Sequence, residues 1–284
     1  MTTTDTSLLY TQGCNQGSAG QSGVVVLDFG QPWYDISTSS YGTLLFDSLG
    51  FSSTTQIETA VKSFLNGYWN CSLASPSAHI VLAIGLNNFR GETTYAHGQA
   101  WAQMVNNIAN WIPVGIDYSS KESAAGAMDI ELPWNTSTNT SNWINGYASA
   151  TSLLLYDFGS CDSCPYDQNP QWSPANSWTL ENVWYVSYGA TPTVPLPEIY
   201  NTLGVNASQW LSMSVYAYNN HGAVMSFAGA FTQWQACQDK QDPCTGINNA
   251  PSAGWLQLYN ALNSSNITVQ GLGWSTDITW QNLR

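Results

Sequence analysis

At 284 residues the chain can bury a substantial core, and α/β barrels of this length commonly fold as one unit, so a single domain over 1–284 is expected. Charged residues make up only 8%, with five Lys plus Arg against eighteen Asp plus Glu, a formal net charge of -13 and a pI near 4.1. That balance repels nucleic-acid phosphates and anionic lipid, and no run of eighteen apolar residues exists to cross a bilayer, so neither nucleic-acid binding nor membrane insertion is expected.

The N-terminal stretch MTTTDTSLLYTQG lacks the basic and apolar segments of a secretory signal. The first strand signal is GVVVLDFGQPW at 23–33, followed by an insert, YGTLLFDSLG. STTQIETAVKSFLNGYW then predicts a helix capped by Ser53 or Thr54, with Ile57, Val61, Phe64 and Leu65 on one face. HIVLAIGLNN at 79–88 is the next strand. The helix YAHGQAWAQMVNNIANWI follows, its stripe formed by Trp101, Met104, Val105, Ile108 and Ile112. PVGID at 113–117 is a short strand candidate and AGAMDIELPW at 125–134 a longer one. TSNWINGYASA reads as a helix leading into the strand SLLLYDFGS at 152–160, and a Cys-, Pro- and Asn-rich loop covers 161–178.

Three more strands are predicted in NVWYVSYGA at 182–190, TVPLPEIYN at 193–201 and AVMSFAGAF at 223–231. Between the last two, NASQWLSMSVYAYNN predicts a helix capped by Asn206. A helix in SAGWLQLYNALN and the segment ITVQGLGWSTDITW close the chain. Strands alternating with helices imply βα units, and eight strand candidates suit a TIM-like (β/α)8 barrel. Without PVGID the count is seven, which makes the barrel distorted or incomplete. An open doubly wound sheet is the runner-up, but LDFGQPW offers one Gly where a dinucleotide fold uses three. Neither a P-loop nor a GxSxG elbow occurs, which removes the main support for nucleotide-hydrolase and α/β-hydrolase readings.

Six cysteines, Cys14, Cys71, Cys161, Cys164, Cys237 and Cys244, argue for an oxidising compartment and disulfide-stapled loops. Closing each local pair and joining Cys14 to Cys71 is one of fifteen connectivities. A zinc site from CDSC with Cys237 and Cys244 is the alternative, weakened by the six residues that separate the second pair. The expectation is a mature extracellular domain, its signal removed and a start Met added. His79, His97 and His221 are scattered and form no HExxH pair, so neither metal nor cofactor is expected.

Catalytic groups of a barrel sit at the C-terminal ends of strands, and this chain has acids at several: Asp28, Asp129, Glu131, Asp157 and Glu198. Alternation puts Asp129 and Glu131 on one face and Met128, Ile130 and Leu132 on the other. Two carboxylates so close cannot both ionise freely in a low-dielectric cleft, so one pKa rises while the other stays low, as an acid/base pair requires. Glu131, nearer the open end, is assigned as general acid and Asp129 as its electrostatic partner. Glu198, between prolines in VPLPEIY, is the candidate second carboxylate, and its distance from Glu131 decides between retention and inversion. Fourteen Trp and fifteen Tyr supply stacking platforms for sugar rings: Trp33, Trp134, Trp184 and Trp234 are the candidates, with Tyr188, Asp157 and Asn87 as ligands for hydroxyl groups.

The string MDIE at a strand end resembles the Asp-x-Glu of glycoside-hydrolase barrels, above all the family 25 lysozyme-type muramidases and more loosely the family 18 chitinases. The resemblance implies that Glu131 is the proton donor, that Asp129 orients the substrate or stabilises charge, and that Asp28, at the end of the first strand, is a site carboxylate. Ala124, Ala125 and Ala127 stand where the longer chitinase pattern has Asp, Gly and Asp. DIELPW, WYVSYGA and PLPEIY are similar to strings in an uncharacterised group of secreted bacterial proteins, which implies no activity. The expected function is therefore an O-glycoside hydrolase acting on a polysaccharide, such as peptidoglycan or chitin, as a monomer. The alternative is a non-catalytic carbohydrate-binding barrel.

Overall fold

In the computed structural model the described residues are 1–46, 50–112, 114, 117–240 and 244–278, and the chain divides into two compact units. Unit 1 comprises Met1–Met128 with Asn142–Leu155, and unit 2 comprises Asp129–Ser141 with Tyr156–Arg284.

Unit 1 opens with a helix that no apolar stripe announces. Helix α1, Thr6–Ser18, starts at Asp5, whose carboxylate accepts from the amides of Ser7 and Leu8. Its buried positions are Leu9, Gly13 and Gly17, so the helix packs through its backbone. A Cβ on Gly13 would lie 2.0 Å from the Phe64 carbonyl oxygen of α2, Thr54–Cys71, and one on Gly67 would lie 2.1 Å from the Tyr10 carbonyl oxygen. The Cys14–Cys71 disulfide ties the same two helices together. Strands β1, Gly23–Asp28, and β2, Gln31–Asp35, come next, and β2 pairs antiparallel with β3, Ser40–Leu44, which pairs with β4, Phe51–Ser53.

Helix α2 begins as predicted, with a capping box between Ser53 and Gln56, and buries Ile57, Val61, Phe64 and Leu65. Strand β5, Ile80–Asn87, runs parallel to β1 from Gly23↔Ile80 to Asp28↔Gly85. Helix α3, Tyr95–Trp111, buries the predicted Trp101, Met104, Val105 and Ile108. Strand β6, Glu122–Asp129, helix α4, Ser137–Ala150, and strand β7, Leu155–Asp157, follow. The strand candidate PVGID falls mostly outside the described residues.

Helices α3 and α4 touch as closely as α1 and α2. A Cβ on Gly98 would lie 2.0 Å from the Trp143 carbonyl oxygen, and one on Gly146 would lie 2.0 Å from that of Tyr95. Neither carbonyl can retreat without disturbing its own helix, so Gly98→Ala is expected to cost about 2–4 kcal/mol. Thermal unfolding checks this; a melting temperature unchanged from wild type would show that the helices part freely. His97, buried on α3, accepts at Nδ1 from Trp143 Nε1 (2.9 Å), which leaves Nε2 to donate to the Gly42 carbonyl (2.8 Å). Burial pulls its pKa down to about 4, so it is a neutral core residue with both nitrogens occupied.

Glu122, 1% exposed at the start of β6, is pushed by burial up to about 8, with Lys121 offsetting only part of the rise. The folded protein holds this proton more tightly than the unfolded chain, whose Glu titrates near 4.5. The resulting stability is complete below that value and lost as pH rises through about 8, at about 1.4 kcal/mol for each pH unit between the two. Glu122→Gln should therefore flatten the fall in stability between pH 5 and 9. Parallel urea titrations of the two proteins check it, and equal slopes with pH would refute it.

In unit 2 the predicted strand at 182–190 is absent. Helix α5, Leu180–Trp184, runs into a π-helical turn, Tyr185–Gly189, because Thr179 and Asn182 form a capping box ahead of VWYVSYG and commit the segment to helix. Strand β8, Thr193–Pro195, is followed by helix α6, Val205–His221, strand β9, Gly229–Thr232, helices α7, Trp234–Asp239, and α8, Pro251–Leu262, and strand β10, Trp274–Asp277. Asn206 is not the cap of α6: Gly204, at φ 81°, precedes the helix, and Asn206 Oδ1 accepts from the Asn201 amide instead (2.8 Å). Cys161–Cys164 and Cys237–Cys244 complete the local disulfide pairing and leave no thiolate for zinc.

The main sheet is parallel with strand order β1-β5-β6-β7-β8, and β9 pairs in parallel with β10. The order follows the chain and never reverses, unlike that of a doubly wound sheet. The sheet is not closed, and the fold is mixed α/β with three disulfides. Among the described residues no helix is long and apolar enough to cross a membrane.

Candidate active site

At the end of β6, Met128, Ile130 and Leu132 are buried to 0%, 2% and 1% exposure, while Asp129 and Glu131 are only partly covered, as strand alternation requires. Glu131 sits where the strand gives way to a 3-10 turn, Leu132–Trp134, whose last amide donates to the Glu131 carbonyl (3.0 Å). Beyond β8 the same alternation holds. Pro197 and Ile199 are buried while Glu198 and Tyr200 are only partly covered, and the Glu198 amide donates to the Gly159 carbonyl (3.1 Å). Glu198 also bridges in parallel to Phe231. The result is that one carboxylate oxygen from each of Asp129, Glu131 and Glu198 lies within 4.8 Å of the other two.

Burial raises Glu131 to about 7, the nearby Asp162 charge adds to the rise, and the Ser160 hydroxyl, donating to Oε2 at 2.8 Å, opposes it. Asp157, at the end of β7, is 2% exposed and pushed by burial to about 7, against hydrogen bonds from Ser187 and the Gly159 amide. Glu198 is raised well above the usual carboxylate range by burial first, and then by the charges of Glu131 and Asp157. Tyr200 faces Glu198, Asp129 and Glu131, and burial with these charges keeps its phenol protonated. Burial and neighbouring negative charge raise all three of Glu131, Asp157 and Glu198, so the acids relieve their repulsion by holding protons. Three hard oxygens this close could also hold a divalent cation such as Ca²⁺ or Mg²⁺, which the sequence did not suggest.

Four predicted residues thus converge: Asp129, Glu131, Asp157 and Glu198. Trp134 lies half-buried in the turn that follows Glu131. Trp234, 37% exposed, opens α7 just past β9, its amide donating to Asp277 Oδ1 (2.8 Å). Tyr188 and Trp184 are not at a strand end, since they lie in the π turn and α5. The Trp184 ring is covered by His221, with centroids 3.4 Å apart and planes within 5°, so it is no open platform. Asp28, Asn87 and Trp33 belong to unit 1. Asp28 ends β1, accepts from the Gly30 amide (2.7 Å) and is raised by burial to about 6. Asn87 ends β5 and is 4% exposed, its Oδ1 accepting from the Phe89 amide (3.0 Å) and shaping the turn; Trp33 lies in β2, 37% exposed.

Ser160, Ser187, Asp162 and Tyr200 were not anticipated. Tyr200 was within reach of sequence reasoning: it follows Glu198 by two residues, as Glu131 follows Asp129, and so shares its face. Ser187 was hidden by the mistaken strand. Compared with known proteins, the chain matches no family model, no curated sequence and no solved structure.

Proposed function

We propose that the chain is a secreted glycoside hydrolase, built on an incomplete (β/α)8 barrel, that cleaves a polysaccharide such as peptidoglycan or chitin. The carrying observation is the convergence of Asp129, Glu131 and Glu198 within 4.8 Å at the ends of parallel strands. The unreversed strand order supports the barrel, and three disulfides support an extracellular setting. Glu131, protonated below about pH 7, gives its proton to the leaving glycosidic oxygen as the substrate's acetamido oxygen closes on the anomeric carbon; Asp129 stabilises the positive charge of that cyclic intermediate, and water, losing its proton to the ionised Glu131, then opens it. Glu198, whose proton burial also holds, orients Glu131. Trp134 offers a stacking face for a sugar beside the donor.

The test is release of reducing ends from a panel of neutral, acetylated and deacetylated polysaccharides. Two successive displacements at the anomeric carbon invert it twice, so products should retain the anomeric configuration, read by proton NMR early in the reaction. Activity should survive EDTA; loss that Ca²⁺ or Mg²⁺ restores would recast the three carboxylates as metal ligands. Binding of a glycan without release from any of them would favour the non-catalytic carbohydrate-binding barrel.

A further inference from the structure

We propose that the segment Ser160–Trp178, closed at its start by the Cys161–Cys164 disulfide, is the positioning device of the proton donor, fixing both the Glu131 carboxyl and the turn that carries it. The proposal rests on the reading of Glu131 as donor. At one end, the Ser160 amide donates to the Ile130 carbonyl (3.2 Å) and the Ser160 hydroxyl to Glu131 Oε2 (2.8 Å). At the other end, Asn176 Nδ2 donates to the carbonyls of Leu132 (3.1 Å) and Asn135 (2.9 Å), and Trp178 Nε1 to that of Asn135 (3.0 Å). Glu131 is thus gripped on both sides by one loop.

The loop is itself anchored. Cys161 and Cys164 are 1% and 0% exposed, the Cys164 amide donates to the Cys161 carbonyl (3.0 Å), and buried Gln209 of α6 donates from Nε2 to the Cys164 carbonyl (3.1 Å). The Ala175 amide donates to the Asp162 carbonyl (3.0 Å), joining the two ends of the loop. Three of the six non-glycine residues with positive φ among the described residues lie here: Ser163 (61°), Asn176 (55°) and Ser177 (60°). Such backbone persists only where its surroundings hold it, and it collects at functional sites. A closure over a sequence separation of 3 removes far less chain entropy than the separation of 57 closed by Cys14–Cys71. Its effect is therefore local, and what lies next to it is Ser160.

The test is a double-mutant cycle on the full-length protein, read in the pH profile of kcat/KM. Among the described residues, the titratable groups around Glu131 are Asp129 two residues before it, Asp157, Asp162, Glu198 and Tyr200. Asp162 is exposed, so measurements at 0.5 M salt screen its charge. Ser160→Ala removes a bond to the ionised carboxylate and should move the alkaline limb up by about half to one pH unit, with KM within about twofold. Cys161→Ala with Cys164→Ala should move it by the same amount in the same direction, and the triple variant should move it no further. An unmoved limb without the disulfide, or shifts that add, would overturn the proposal. Asn176→Ala, which keeps both cysteines, takes the place of the cysteine pair in the same cycle if that variant fails to fold. Infrared titration of the buried carboxyl band repeats the cycle without substrate. A wild type inactive on every glycan would thus defeat the hydrolase reading and leave the positioning claim to be decided by the infrared titration.

Discussion

Glu131→Gln is expected to lower kcat by about 10²- to 10⁴-fold with KM nearly unchanged, the span that loss of a positioned general acid produces. The substitution keeps the shape of the side chain, and the amide oxygen can still accept from Ser160, which donates to Oε2 in the wild type. Stability and glycan affinity should therefore persist while the proton is gone. That separation is what distinguishes an enzyme from a binding protein with the same carboxylates, because a binding protein would lose nothing. Asp129→Asn should cost less, about 10- to 100-fold, since it stabilises charge and transfers no proton. If Glu131→Gln kept a tenth or more of the wild-type rate while Glu198→Gln were inactive, the donor would be Glu198, whose proton burial also holds.

Why the sequence revealed this pair follows from the period of a strand. Two residues apart where β6 ends in extended backbone, Asp129 and Glu131 had to share a face, and the apolar Met128, Ile130 and Leu132 could only take the buried one. The helices α2 and α3 were legible for a similar reason, each having an apolar stripe and a polar cap. Helix α1 was not, because it packs through Gly13 and Gly17, and the absence of a side chain leaves no stripe to see. The segment 182–190 misled because aromatic and β-branched residues favour strands on average, while the capping box before it imposes a helix locally. Asp157 and Glu198 were nominated one by one as strand-end acids. Their coupling to Glu131 depends on neighbours in the sheet rather than neighbours in the chain, and so does the grip of Ser160.

As pH rises the protein should lose stability between about pH 4 and 7 and activity above pH 7, for related reasons that can be measured apart. Activity falls because Glu131, raised to about 7, must be protonated to act; kcat/KM should drop about tenfold per pH unit beyond that limb. Stability falls because Asp157 and Glu131 titrate near 3.8 and 4.5 in the unfolded chain but near 7 in the folded protein, and burial raises Glu198 as well. Each binds its proton more tightly in the folded protein. Their contribution is therefore complete below about pH 4 and lost as pH rises through about 7, at about 1.4 kcal/mol for each pH unit between the unfolded and folded values. The three are coupled, so their losses do not sum. Asp157→Asn removes one titrating group and one repulsive charge, and it should unfold at a higher temperature than wild type at pH 9, with a smaller gain at pH 5 and none below about pH 4. Glu122 in unit 1 produces a slope of the same sign, so the comparison belongs in a Glu122→Gln background. There, a wild-type slope that Asp157→Asn leaves unchanged would mean that the carboxylates at the strand ends ionise without strain. Activity that returns in full on going back to pH 6 would assign the kinetic limb to Glu131 and not to unfolding.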